Sequence, residues 1–144
     1  MSEKGRPMSP VRDISVRDFM IPDPVVFTPD TDLLDAVRML VDRDISGAPV
    51  VDERGNLVGV LTERDFLEAA LVAGYQGERG GRVSEYMSRE IEVVHADDNL
   101  LDVAMRFVKT QYGRYPVVED NRLVGVVGRR DVLRAVVESL RGAK

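Results

Sequence analysis

The chain has 144 residues, 44% hydrophobic and 31% charged, the balance of an ordinary globular protein long enough for one domain or two small halves sharing a core. It contains no cysteine, which excludes disulfides, zinc–thiolate sites and thiol nucleophiles, and fits a reducing, cytoplasmic setting. A net charge of −5 sets the field of the whole molecule against nucleic acid and anionic lipid, so neither is expected as a partner.

Residues 1–13 begin "MSEKGRPMSPVRD", without an apolar run or periodicity, and are expected to form a flexible arm rather than a secretory signal. No later apolar run approaches the roughly 18 residues of a membrane span. Val25 to Thr28 is a short β-rich run. Asp30 or Thr31 then suits the cap of a helix whose apolar stripe is Leu33, Leu34, Val37, Leu40 and Val41. Val50 and Val51 open a strand, "ERGN" turns it, and Leu57 to Leu61 returns, giving a hairpin. A second helix follows, with Phe66, Leu67, Ala70 and Leu71 on one face. The glycine-rich, charged stretch 74–82 reads as a linker.

The chain then repeats itself at a shift of about 67 residues. "VRDFM" (Val16 to Met20) lies over "VSEYM" (Val83 to Met87), and "DTDLLDAV" from Asp30 over "DDNLLDVA" from Asp97. "APVVDE" from Ala48 lies over "YPVVED" from Tyr115. After a one-residue gap, "LVGVLTERDFL" from Leu57 lies over "LVGVVGRRDVL" from Leu123. The second copy predicts a helix with Leu100, Leu101, Ala104, Phe107 and Val108, and a hairpin turned at Asp120-Asn121, a pair suited to positive φ. Its last helix carries Val132, Leu133, Val136, Val137 and Leu140. The repeats are assigned to residues 14–73 and 83–144, each a β-α-β-β-α unit too small to bury a full core alone.

The two strand-to-helix junctions carry the chemistry. Thr62 stands where an N-cap belongs, and Asp65 falls three residues on, where its carboxylate reaches back as in a capping box. The same geometry suits a ligand. Free N–H groups at a helix start attract phosphate, and an ionised carboxylate can accept both hydroxyls of a ribose. The second junction keeps Asp131 but has Gly128 in place of the threonine, and Arg129 and Arg130 in its first turn. Those arginines oppose the dipole preference, so they are either solvated side chains or face an anion. Arg114, in "YGRYP", is a candidate for a forked grip on phosphate, where the first repeat has Gly47. Tyr112 and Tyr115 suit a base pocket or the core, with core or dimer contact the better fit for Tyr115.

The paired "V-x-x-(Phe/Tyr)-Met", "(Ala/Tyr)-Pro-Val-Val-(Asp/Glu)" and "Leu-Val-Gly-Val…Asp" elements resemble tandem cystathionine-β-synthase (CBS) domains, a Bateman module, over residues of about 14–140. The resemblance implies an α+β fold of two βαββα repeats packed sheet to sheet about a pseudo-twofold axis. It implies a non-enzymatic, stand-alone sensor that binds an adenosine nucleotide (AMP, ADP or ATP, with S-adenosylmethionine or NAD in the same ligand class) in clefts between the repeats, with no required cofactor. It also implies a homodimer. One cleft would join Thr62 and Asp65 to Ile91, Tyr112 and Arg114, and the other would join Asp131 and Arg130 to Pro24, Val25, Ile45 and Ser46. On this reading the Asp65 cleft, with hydroxyl, carboxylate and arginine, is the better phosphate binder. The alternative is a structural or protein-interaction module with vestigial clefts, acting through dimerisation or a partner protein. His95 is alone, so neither a metal site nor a catalytic triad is expected.

Overall fold

The computed structural model describes residues 13–73 and 81–142. The expected arm and linker lie outside the described residues except for Asp13, Gly81 and Arg82. Among the described residues the fold is α+β, with two small sheets and five α-helices, and the chain divides into two compact units.

The first unit comprises Pro24–Ile91 with Asn121–Leu123. Strands β1 (Gly47–Val51) and β2 (Leu57–Thr62) form the expected hairpin, with Gly47 opposite Thr62. The Asp52 carboxylate organises the turn by accepting the N–H groups of Arg54 and Asn56, both at 2.9 Å. The Asn56 N–H chiefly holds its pKa below the usual carboxylate range. The β-rich run Val25 to Thr28 shrinks to one parallel bridge, Phe27 to Val50, closed by two 2.9 Å hydrogen bonds. Helix α1 (Leu33–Arg43) is capped by Asp32 rather than by Asp30 or Thr31. The Thr31 hydroxyl instead accepts the Thr28 N–H at 3.0 Å, and Asp30 pairs with Arg82. The buried stripe is Leu33, Ala36 and Leu40, while Val41, expected inside, is 72% exposed. In α2 (Glu63–Ala73), Phe66 packs on the core, but Leu67 and Leu71 point outward.

The second unit comprises the described part of Met1–Asp23, then Glu92–Asp120 and Val124 onward. Strand β3 (Val94–His95) runs parallel to β4 (Arg114–Glu119), with Val94 opposite Val117. Strand β5 (Arg122–Gly128) completes the sheet after Asp120 and Asn121, whose φ of 52° and 66° satisfy the turn expected from the sequence. Helix α4 (Leu100–Lys109), capped by Asn99, buries Leu100, Val103 and Phe107. Leu101 and Val108, expected inside, face outward. Helix α5 (Arg129–Gly142) buries Val132 and Ala135 but exposes Leu133, Val137 and Leu140. In each helix the apolar residues form two arcs, and only one can face the sheet.

Each unit borrows its opening turn from the other repeat. Val16, in the 3₁₀ turn Val16–Asp18, is fully buried in the second unit's core, and its N–H donates to the Asp98 carbonyl at 2.8 Å. Val83, in the short helix α3 (Val83–Tyr86), is fully buried in the first unit's core, and its N–H donates to the Thr31 carbonyl at 2.9 Å. Full burial of such side chains stabilises by about 1.5–3 kcal/mol each. The methionines that follow explain the "Leu-Val-Gly-Val" glycines. Met87 lies against Gly59 and Met20 against Gly125, where any side chain would collide. Arg17 fastens the first of these turns by donating to Glu119 at 2.8 Å and to Asp97 at 2.9 Å. No described helix is long and apolar enough to cross a membrane.

Candidate functional site

In the first unit, β2 delivers Thr62 to the start of α2. The expected capping box is formed: Asp65 N–H donates to Thr62 Oγ1 at 3.1 Å, and Thr62 N–H donates to Asp65 Oδ2 at 3.0 Å. The other carboxylate oxygen, Oδ1, accepts the Ser88 hydroxyl at 3.1 Å. Ser88 was not among the residues anticipated from the sequence. The repeat held a clue, because the 67-residue shift lays Ser88 over Ile21 and makes it the polar member of the pair. Ser88 is held in place by two backbone hydrogen bonds with Val60, at 2.9 and 3.0 Å. Thr62 and Asp65 are half-buried and Ser88 is exposed, so the cluster is open to a solute.

Ser46 joins this junction, since its carbonyl accepts the Glu63 N–H at 2.9 Å. Ile45 is half-buried beside it and packs on the core, as does Val25. Pro24 and Ile91 are half-buried at the two limits of the unit's main segment.

In the second unit, Asp131 Oδ2 accepts the Gly128 N–H at 2.7 Å, the same cap without the hydroxyl. Its Oδ1 accepts from Arg134 at 3.2 Å. Asp131 is only 7% exposed, so its carboxylate is both buried and internally paired. The pre-proline loop attaches here. The Arg129 side chain donates to the Tyr112 carbonyl at 3.2 Å, and its N–H to the Gly113 carbonyl at 3.4 Å. A β-carbon on Gly128 would stand 4.0 Å from Arg114 Nε. These hydrogen bonds join each pre-proline loop to the junction of its own repeat: Ser46 to Glu63, and Gly113 to Arg129. Arg114 is thereby placed beside Gly128. Arg130 is exposed. Tyr115 is fully buried in the core, with its hydroxyl 2.9 Å from Thr110 Oγ1 and its ring edge-on to Phe107. Tyr112 is about half exposed, at 49%.

The two half-sites differ chemically. The first has two hydroxyls around a partly exposed carboxylate. The second has a buried carboxylate paired with Arg134, with Arg114 close to Gly128. Among the described residues there is no cluster of three or more histidine, aspartate or glutamate side chains able to hold a metal ion.

The family model for the CBS domain matches residues 16–72 and 83–138. The CBS domain-containing protein YhcV of Bacillus subtilis is 31% identical over 118 residues, covering 82% of each chain. The crystal structure of CBSX2, an Arabidopsis thaliana protein, in complex with AMP superposes with a TM-score of 0.75 at 33% identity, covering 87% of this chain and 97% of that one. The CBS domain pair of protein MJ0100, in complex with 5′-methylthioadenosine and S-adenosyl-L-methionine, does so with a TM-score of 0.69 at 28% identity, covering 90% and 98%. Several curated relatives are much longer. The chain spans 41% of the Methanocaldococcus jannaschii protein MJ1225 and 22% of the L-aspartate semialdehyde sulfurtransferase of that organism. With two matched segments that cover most of its length, the chain belongs to the CBS domain family and carries two CBS domains in tandem.

Proposed function

We propose that the chain is a non-enzymatic regulatory module that binds an adenosine nucleotide, and that it works as a cytoplasmic homodimer. The observation that carries this reading is the Thr62–Asp65–Ser88 cluster, an anchored carboxylate with hydroxyls at a helix start, in a chain whose structural neighbour holds AMP. A carboxylate so placed accepts ribose hydroxyls, and the helix N–H groups and Thr62 suit a phosphate. Arg114 and Arg130 supply guanidinium groups for the phosphate of a second ligand at the Asp131 half-site.

The half-sites are unequal on this reading, with Asp65 the stronger. Arg114 stands beside Gly128, so the preference rests on the two hydroxyls and on the exposure of Asp65. Isothermal titration with AMP and with ATP tests it. Asp65→Ala should weaken binding by more than about tenfold, the worth of one charge-assisted hydrogen bond. Asp131→Ala should weaken it less. Equal losses, or none, would sink the proposal. A second reading holds for the Asp131 half-site alone: its carboxylate is buried and already neutralised by Arg134, as in a structural cap of a protein-interaction module.

A further inference from the structure

The two strand-to-helix junctions differ in charge as well as in hydroxyls. In the aligned junctions Leu57 lies over Leu123, a shift of 66 that carries Glu63 onto Arg129 and Glu68 onto Arg134, while Arg64 matches Arg130 and Asp65 matches Asp131. The first two turns of α2 are therefore net acidic, and those of α5 net basic. On α2 the single arginine, Arg64, pairs with Glu68 at 3.4 Å. Among the described residues Glu63 and Asp65 then have no cation. On α5 the balance is reversed: the single acid, Asp131, pairs with Arg134 at 3.2 Å, and neither Arg129 nor Arg130 meets a carboxylate. Glu63, Arg129 and Arg130 are all exposed.

An exchange of side chains beside each cap widens the contrast. In the first repeat Gly47 lies opposite Thr62, and a β-carbon on Gly47 would stand 3.0 Å from Thr62 Cγ2. A side chain at position 47 would crowd the threonine. In the second repeat the matching position holds Arg114, and the threonine has become Gly128, where a β-carbon would stand 4.0 Å from Arg114 Nε. Each pair keeps one side chain. The first repeat keeps a neutral hydroxyl, and the second a permanently charged guanidinium.

We propose that the two half-sites are tuned to nucleotides of different charge. The Asp65 half-site favours few phosphates, and the Asp131 half-site gains affinity with every phosphate added. This rests on the adenosine-nucleotide reading above and adds a selectivity to it; toward AMP the Asp65 half-site remains the stronger. One helical turn spans about 5.4 Å, so the charges of each junction lie within a Debye length of a phosphate at its helix start. They act on that phosphate without touching it. At about 6 Å in water, one charge pair changes affinity about threefold. At the start of α5 each added phosphate charge meets the unpaired Arg129 and Arg130, and at the start of α2 it meets Glu63.

The Thr62 and Gly128 amides, each donating to its capping carboxylate, report the two half-sites separately in one wild-type sample. Their NMR shifts are followed through titrations with adenosine, AMP, ADP and ATP, free of magnesium and at fixed ionic strength. From AMP to ATP the midpoint at Gly128 should fall by about tenfold, and the midpoint at Thr62 should not fall. Arg130→Glu should raise the ATP midpoint at Gly128 by at least about threefold, and Glu63→Arg should lower the one at Thr62 by as much. Both substitutions lie at exposed positions, so the fold is kept. Equal gains at both amides along the series would overturn the charge selectivity and leave the nucleotide reading standing. No response at either amide to any of the four ligands would overturn both.

Discussion

Gly125→Ala should destabilise the protein more than Gly59→Ala, although the two glycines occupy the same place in the repeat. A β-carbon on Gly125 would stand 2.7 Å from the Ile21 carbonyl oxygen and 2.8 Å from Met20 Sδ. On Gly59 it would run into Met87 Sδ and stand 2.9 Å from Met87 Cγ, but the nearest backbone atom, the Ser88 oxygen, is 3.1 Å away. A thioether chain has three rotatable bonds and can step aside. A carbonyl cannot move alone. Relieving the Gly125 contact shifts Ile21 by roughly half an ångström, which stretches its 2.8 and 3.0 Å hydrogen bonds with Val126 past the usual range. Overpacking costs about 1–3 kcal/mol, and each weakened hydrogen bond up to about 1 kcal/mol. Loss of glycine's freedom in the unfolded chain returns about 0.4–1 kcal/mol in both variants. The net expectation is about 2–3 kcal/mol for Gly125→Ala and about 1 kcal/mol or less for Gly59→Ala. Urea unfolding reads this directly: with a slope of about 2 kcal/mol per molar, the midpoint falls by about 1–1.5 M in the first case and by under about 0.5 M in the second. Met20→Ala added to Gly125→Ala should recover little, because the carbonyl remains. Equal midpoints for the two glycine variants, or full rescue by Met20→Ala, would refute the backbone-contact argument.

The helix caps give a second expectation. Asp32→Ala and Asn99→Ala each remove a side-chain acceptor, from the Asp35 and Asp102 N–H groups, and should cost about 1 kcal/mol, measured as a fall in Tm at fixed pH. Acid should loosen the opening turn through Glu119, whose carboxyl is held below its ordinary value of 4.5 by the hydrogen bond from Arg17. Since the folded value is depressed, the stabilisation is complete above about pH 4.5 and is lost as pH falls through the folded value. Glu119→Gln should therefore flatten the acid limb of a Tm-against-pH curve.

Local chemistry made part of this structure legible. Asp120-Asn121 suits the positive φ of a tight hairpin turn, and Thr62 with Asp65 suits a helix cap from local spacing alone. Burial was harder to read because these helices are apolar on two arcs. Leu133, Val137 and Leu140 have a helical period as regular as that of Val132 and Ala135, so periodicity alone cannot tell which arc meets the sheet. The first strands faded for a similar reason. Val25 to Thr28 has strand composition, but of these residues Phe27 alone bridges to a strand, bonding to Pro49 and Val51 on either side of Val50.

The exchange of opening turns was out of reach of the repeat alignment, which compares the two copies but says nothing of which copy each turn packs against. It matters because it brings Ser88 to Asp65. Ser88 belongs to the second repeat's opening turn, and Asp65 to the first repeat's junction. If a ribose takes the Asp65 carboxylate, as proposed, it must share Oδ1 with Ser88 or displace it. A ligand changes a protein's conformation only through differential affinity for two states. On that proposal the two states would differ in a named contact, the Ser88–Asp65 hydrogen bond, and that contact would tie site occupancy to the turn that opens the second repeat. Without the exchange, a nucleotide at Asp65 would touch one repeat's junction and leave the other repeat's opening turn unaffected.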